Sequence, residues 1–133
     1  MIKVRMLDPF KLELEDVFLI DEGCKGSWDK ANAYHQINAA RNKNAWIFKF
    51  TGDAEGIFVF ARGNTEKELT MTALAGKGFF KHFDEIYSAA KTLAKRAGAR
   101  RMTGYVSRPG LKRLYERRSG GTPVATLFLE EFK

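Results

Sequence analysis

Ala73-Leu-Ala-Gly-Lys-Gly-Phe-Phe80 (ALAGKGFF) joins a run patterned as a strand to a run patterned as a helix, and the reading of the fold turns on it. Upstream, Glu68–Leu74 sets Leu69, Met71 and Ala73 against Thr70, Thr72 and Leu74, the period of two expected of a strand. Downstream, Phe79, Phe83, Ile86, Ala90, Leu93, Ala94 and Ala97 recur at helical spacing. Lys81, Asp84, Glu85, Ser88, Lys91, Lys95 and Arg96 fill the opposite face, and Gly98 is the expected stop. A strand-to-helix loop leaves the first amides of the helix without partners, and the helix dipole adds partial positive charge there. Phosphates bind such ends. Gly76, Lys77, Gly78 and Phe79 could therefore present their amides to an anion, with Lys77 adding charge. The other reading is a tight turn and nothing more. The stretch is neither a Walker loop nor a complete G-x-G-x-x-G.

Working outward, Ile2–Leu7 alternates weakly, as an edge strand would, and Asp8-Pro9 breaks it. Leu12, Leu14, Val17, Phe18 and Ile20 predict a helix over Lys11–Asp21, ended by Gly23 and Gly26. Ser27 is the expected N-cap of a second helix running to about Arg41. Two aromatic runs, Trp46–Phe50 and Ile57–Ala61, flank a Gly/Asp turn and read as a hairpin. Arg101–Val106 reads as a strand, Leu111–Arg118 as a short helix and Val124–Phe132 as a last strand. The predicted order is β-α-α-β-β-β-α-β-α-β. That order implies one α/β domain over residues 1–133, with a mixed central sheet and helices on both faces. The crossover from Leu69 to Val106 should make its two strands parallel.

The chain is 44% hydrophobic, enough to bury a core without staples, and its 11 phenylalanines predict an aromatic one. Its single cysteine, Cys24, excludes an intramolecular disulfide framework and suits a cytoplasmic setting. The opening MIKVRMLDPF does not read as a signal peptide, and no segment is long and apolar enough to span a membrane. Residues 1–66 carry nine Lys/Arg and ten Asp/Glu; residues 67–133 carry fourteen and six. The basic second half should attract nucleic acid, a nucleotide cofactor or an acidic partner.

Gly76 and Gly78, placed between the fourth strand and the third helix, resemble the second half of the GNAT N-acetyltransferase signature, Gln/Arg-x-x-Gly-x-Gly/Ala. Ala73 stands where that signature has Gln or Arg. A further similarity lies in Leu114-Tyr115-Glu116-Arg117-Arg118-Ser119-Gly120, which resembles the family's Leu-Tyr-Glu-Lys-x-Gly-Phe stretch. Arg108 occupies the usual Asn position and Leu111 the usual Ala position.

The resemblance implies the GNAT fold and an acetyl-CoA-dependent transfer of an acetyl group to an amine that the sequence does not identify. Its pyrophosphate would lie on the amides around Gly76–Phe79, its pantetheine arm would pair with Ala73–Ala75 like an added strand, and an N–H near Leu74 would polarise the carbonyl. Tyr115 would protonate the leaving thiolate, and Glu68, or Glu66 beside it, stands where the family often places a carboxylate for proton relay. A homodimer is compatible with this reading. Some phage-encoded members of the family look similarly short, which opens an alternative: an inactive binding or assembly protein of a phage particle. A second alternative is a nucleic-acid binder using Arg96, Arg100, Arg101, Arg108, Lys112, Arg113, Arg117 and Arg118, with Tyr105 or Phe80 stacking on bases. His35 and His82 read as surface or packing residues. No Ser/His/Asp triad and no metal-ligand spacing is legible.

Overall fold

The computed structural model describes residues 1–25, 32–63 and 67–104. In chain order these form β1 (Ile2–Met6), α1 (Leu14–Cys24), α2 (Ala33–Arg41), β2 (Ala45–Gly52), β3 (Glu55–Arg62), β4 (Glu68–Lys77), α3 (Phe83–Arg96) and β5 (Arg101–Gly104). The strands make one sheet in the order β1-β2-β3-β4-β5. The first three pairings are antiparallel and β4–β5 is parallel, as the crossover requires. The expected last helix and last strand, together with Ser27, Glu66, Tyr105, Arg108 and Tyr115, lie outside the described residues.

Alternation along β2 and β3 divides the core between two faces. Ala45 and Ile47 of β2 and Ile57 and Val59 of β3 pack with Ile20 and Cys24 of α1 and with Ala33 and Ala40 of α2. Phe50, Phe58 and Phe60 pack on the other face with Phe83, Ile86, Ala90 and Ala94 of α3. The helices therefore cover both faces, and the aromatic residues collect under α3.

Several boundaries differ from the sequence reading, each for a local reason. α1 starts at Leu14 rather than Lys11, because Asp16 takes the backbone N–H of Glu13 at 3.2 Å and fixes the first turn there. It runs through Gly23, which is a helix–strand contact rather than a stop. A Cβ on Gly23 would lie 2.8 Å from the backbone N of Leu74. α2 starts at Ala33, since Asn32 accepts the N–H of His35 at 3.2 Å and caps it. β4 does not end at Leu74; it stays paired with β3 as far as Lys77, opposite Glu55. α3 starts at Phe83, four residues later than expected. Gly78, at φ 78°, leads into a turn closed by His82 N–H on the Gly78 carbonyl, and only then does the helix begin. Gly98 ends α3 as expected, with φ 88° and the Ala99 N–H reaching back to Ala94.

Candidate functional site

Strand β4 does not keep the simple alternation that its sequence suggests. Val59 of β3 faces Ala73, but Phe60 faces Met71, so Thr72 is an extra residue without a register partner on β3. This is a β-bulge, and it changes which parity points where. Leu69 and Met71 lie on the α3 face before it, and Leu74 lies on that face after it. Ala73 joins the α1/α2 core instead. The expected grouping of Leu69, Met71 and Ala73 on one face thus holds only as far as the bulge.

On the other side of β4, the described part of β5 ends at Gly104. β4 pairs with β5 from Glu68–Arg101 to Met71–Gly104. Among the described residues, Thr72–Lys77 has β3 on one side and no strand on the other. Ala73, Leu74 and Ala75, the residues expected to hold an extended ligand, lie on this stretch, past the last described pair of β4 with β5.

The stretch leads into the glycine pair. Gly76 has its own structural reason to be glycine, since φ is 152° and a Cβ would meet the Glu55 carbonyl oxygen at 2.2 Å. Gly78 is fixed mainly by its φ of 78°, because its nearest neighbour would be the Ala54 Cβ at 3.2 Å. Gly76, Lys77 and Gly78 are all exposed. Phe79 is buried with its ring 5.5 Å from Phe83, which pins the turn to the core, while Phe80 is 53% exposed. Among the described residues, the amides of Phe79, Phe80 and Lys81 donate to no acceptor, and Lys77 and Lys81 form no ion pair.

Asp53, whose backbone lies against Gly78, carries a carboxylate that is already neutralised. The Met1 amino group donates to it and holds its carboxyl below the usual carboxylate range, with His82 and Lys81 acting in the same direction. The end of the sheet at Gly76–Lys81 therefore offers open amides, two lysines outside any ion pair among the described residues, and the N-terminus of a 14-residue helix.

The structure brings Ala73, Leu74, Ala75, Gly76, Lys77, Gly78 and Phe79 together and leaves Glu68 apart. Glu68 opens β4, eight residues from Gly76, which is roughly 25 Å at strand rise. It is half-buried beside Gly63. Arg100 and Arg101 lie at that same far end and donate their backbone N–H groups to the Lys67 carbonyl. The bulge escapes a reading of the sequence by simple alternation. Its signal is the parity slip in Glu68-Leu-Thr-Met-Thr-Ala-Leu74, where Leu69 and Met71 are followed by Leu74 rather than by a large residue at position 73.

No protein-family model matches the sequence, and no curated protein matches it. Solved structures do match in shape. A predicted acetyltransferase from Clostridium acetobutylicum with acetyl-CoA superposes at TM-score 0.61 with 13% identity, over 98% of this chain and 96% of that one. AAC(6')-Iy, in complex with the bisubstrate analog CoA-S-monomethyl-acetylneamine, superposes at 0.62 with 10% identity, over 100% of this chain and 99% of that one. A ribosomal-protein-alanine N-acetyltransferase from Brucella melitensis biovar Abortus 2308 superposes at 0.61 with 12% identity, over the whole of both chains. At such identities the likeness is one of fold, and the fold is the GNAT fold that the glycine loop and the order of elements imply.

Proposed function

We propose that this GNAT-fold chain is an acetyl-CoA-dependent N-acetyltransferase acting on an amine. The observation that carries the reading is the continuity of Thr72–Lys77, which among the described residues pairs only with β3, with the unpaired amides of Phe79–Lys81 and the exposed Lys77 and Lys81. An extended, amide-bearing arm fits the first, because a strand edge pairs with any chain that offers alternating donors and acceptors. A pyrophosphate fits the second. Acetyl-CoA joins those two chemistries in one molecule, and the solved structures in complex with acetyl-CoA and with a bisubstrate analog share the fold.

In the reaction, the amine nitrogen forms a bond to the thioester carbon, the carbon–sulfur bond breaks, and the thiolate takes a proton. The amine loses one proton in exchange. A backbone N–H at Leu74 would polarise the carbonyl. Tyr115 is the proposed acid; a phenol near pKa ~10 can protonate a thiolate whose acid is near ~8.5 when held against it. Glu68 enters only as a distant, water-relayed base, since about 20 Å of strand separates it from Leu74.

Calorimetric titration with acetyl-CoA tests the reading: one-to-one binding at micromolar ligand is expected, and no binding at millimolar ligand would end it. Gly78→Val should abolish that binding through its positive φ, and Tyr115→Phe should lower turnover while leaving affinity nearly intact.

A second reading draws on the placement of Arg100 and Arg101. Both are exposed and stand at the opposite end of β4 from the glycine loop, too far to share one cofactor with it. They favour an additional surface for a polyanion such as nucleic acid. Such binding should weaken steeply between low and moderate salt; a flat response would dismiss it.

A further inference from the structure

We infer that Gln36 is a positioning residue for the cofactor strand, acting through Thr72; the inference rests on the acetyl-CoA reading above. Gln36 sits on the inner face of α2 and is 7% exposed among alanines and aliphatic residues. A buried carboxamide costs stability unless its polar atoms are paired. Its Oε1 accepts the Thr72 hydroxyl at 2.8 Å. Thr72 is the bulge residue, the interior position of β4 with no register partner on β3. The extra residue is thus bonded to the helix layer behind the sheet, and its hydroxyl lies only loosely, at 3.5 Å, from the Val59 carbonyl.

This bond fixes which residue bulges. Were the slip to move to Met71, Thr72 would lie opposite Phe60, turn to the α3 face and leave Gln36. Were the bulge lost and the Phe60–Met71 register to run on, Leu74 would lie opposite Ile57 and point at α1, where Gly23 already approaches the Leu74 backbone so closely that a single Cβ would not fit. Gln36 attracts the right residue and Gly23 excludes the wrong one. Together they set which amides and carbonyls of Thr72–Ala75 point away from β3. Because α2 carries Gln36, a movement of α2 would reach the cofactor edge through a single hydrogen bond.

The test compares Thr72→Val, Thr72→Ser and Gln36→Leu with the unaltered protein in two measurements. Amide hydrogen exchange, without ligand, should show faster exchange over residues 72–76 in Thr72→Val and Gln36→Leu, with α3 as protected as before. Acetyl-CoA affinity should fall at least tenfold in both, and Thr72→Ser should restore it to within about threefold. Where turnover is measurable, the loss should appear in KM for acetyl-CoA more than in kcat. Unchanged exchange and unchanged affinity in Thr72→Val and Gln36→Leu would overturn the inference. So would a loss that Thr72→Ser does not rescue. If the unaltered protein binds no acetyl-CoA, the functional reading falls, and the exchange comparison still decides whether Gln36 holds the bulge.

Discussion

On the α3 face of the sheet, Phe50, Phe58, Phe60 and Phe83 are buried to 1% exposure or less, and the rings of Phe50 and Phe60 both meet that of Phe58. On the α1/α2 face the core is built from alanines and branched aliphatic residues, and it also buries Asp16 and Gln36. Lys49 crosses from β2 to Asp16 at 2.8 Å, and Thr72 crosses from β4 to Gln36. Apolar packing is non-directional and tolerates small sliding, whereas a buried hydrogen bond has one partner and one geometry. The difference teaches that cohesion and positioning are divided between the faces. The aromatic face holds the sheet together, and the mixed face fixes how helices α1 and α2 sit on it.

The comparison breaks most visibly at Phe58. It lies opposite Phe48 across the strands, with ring centroids 5.3 Å apart, and next to Phe60 at 5.5 Å. Phe58→Ala should cost about 3–5 kcal/mol, by lost transfer energy and by the cavity left behind. Thermal or denaturant unfolding would measure it. A loss below about 1 kcal/mol would mean that the aromatic face is not the main source of cohesion.

A smaller effect should follow at Asp16. Its side chain is 5% exposed, and that of Lys49 is 16% exposed. Asp16→Ala leaves the ammonium group without its carboxylate and releases the Glu13 N–H, which together should cost about 2–3 kcal/mol. Replacing both Asp16 and Lys49 by leucine should cost less than either single change, since no charge is then stranded. The pair also gives a pH signature. The Asp16 hydrogen bond raises the Lys49 ammonium above its ordinary value of 10.5. A cation stabilised by folding contributes fully below the unfolded value and loses that contribution as pH climbs through the raised one. Stability should therefore fall above about pH 10.5 more steeply in the unaltered protein than in the double leucine variant. Parallel alkaline profiles would refute the assignment.

Much of this division is legible in the sequence, and the reasons are physical. Phe83, Ile86, Ala90 and Ala94 repeat at helical spacing, so α3 and its aromatic partners can be read directly. Gly76 and Gly78 sit at a junction where only a few backbone conformations serve, so the turn can be read as well. The mixed face is not legible, because its information lies in pairs far apart in the chain: Asp16 with Lys49, Gln36 with Thr72, Gly23 with Leu74. Gly23 reads as a helix stop because glycine at a helix end and glycine at a close contact are the same letter. Glu68 enters through the family resemblance and not through distance, since a strand of ten residues is short in sequence and long in space.

The smallest effect sharpens the comparison at the edge of the mixed face. α2 opens with a reciprocal pair: the Asn32 side chain takes the His35 N–H at 3.2 Å, and His35 Nδ1 takes the Asn32 N–H at 3.1 Å. Both groups are exposed, so each bond replaces one that water would otherwise make, and the net gain is modest. His35→Ala removes one of the two bonds and should cost about 0.5–1 kcal/mol. His35→Gln keeps an acceptor at the same helical position and should recover most of it. The consequence reaches further than the number, because α2 carries Gln36 one residue later. If α2 positions the cofactor strand, a frayed first turn in His35→Ala should also speed exchange at residues 72–76, while Phe58→Ala, at equal loss of stability after correction, should not. Exchange that follows global stability alone in both variants would show that the two faces act as one.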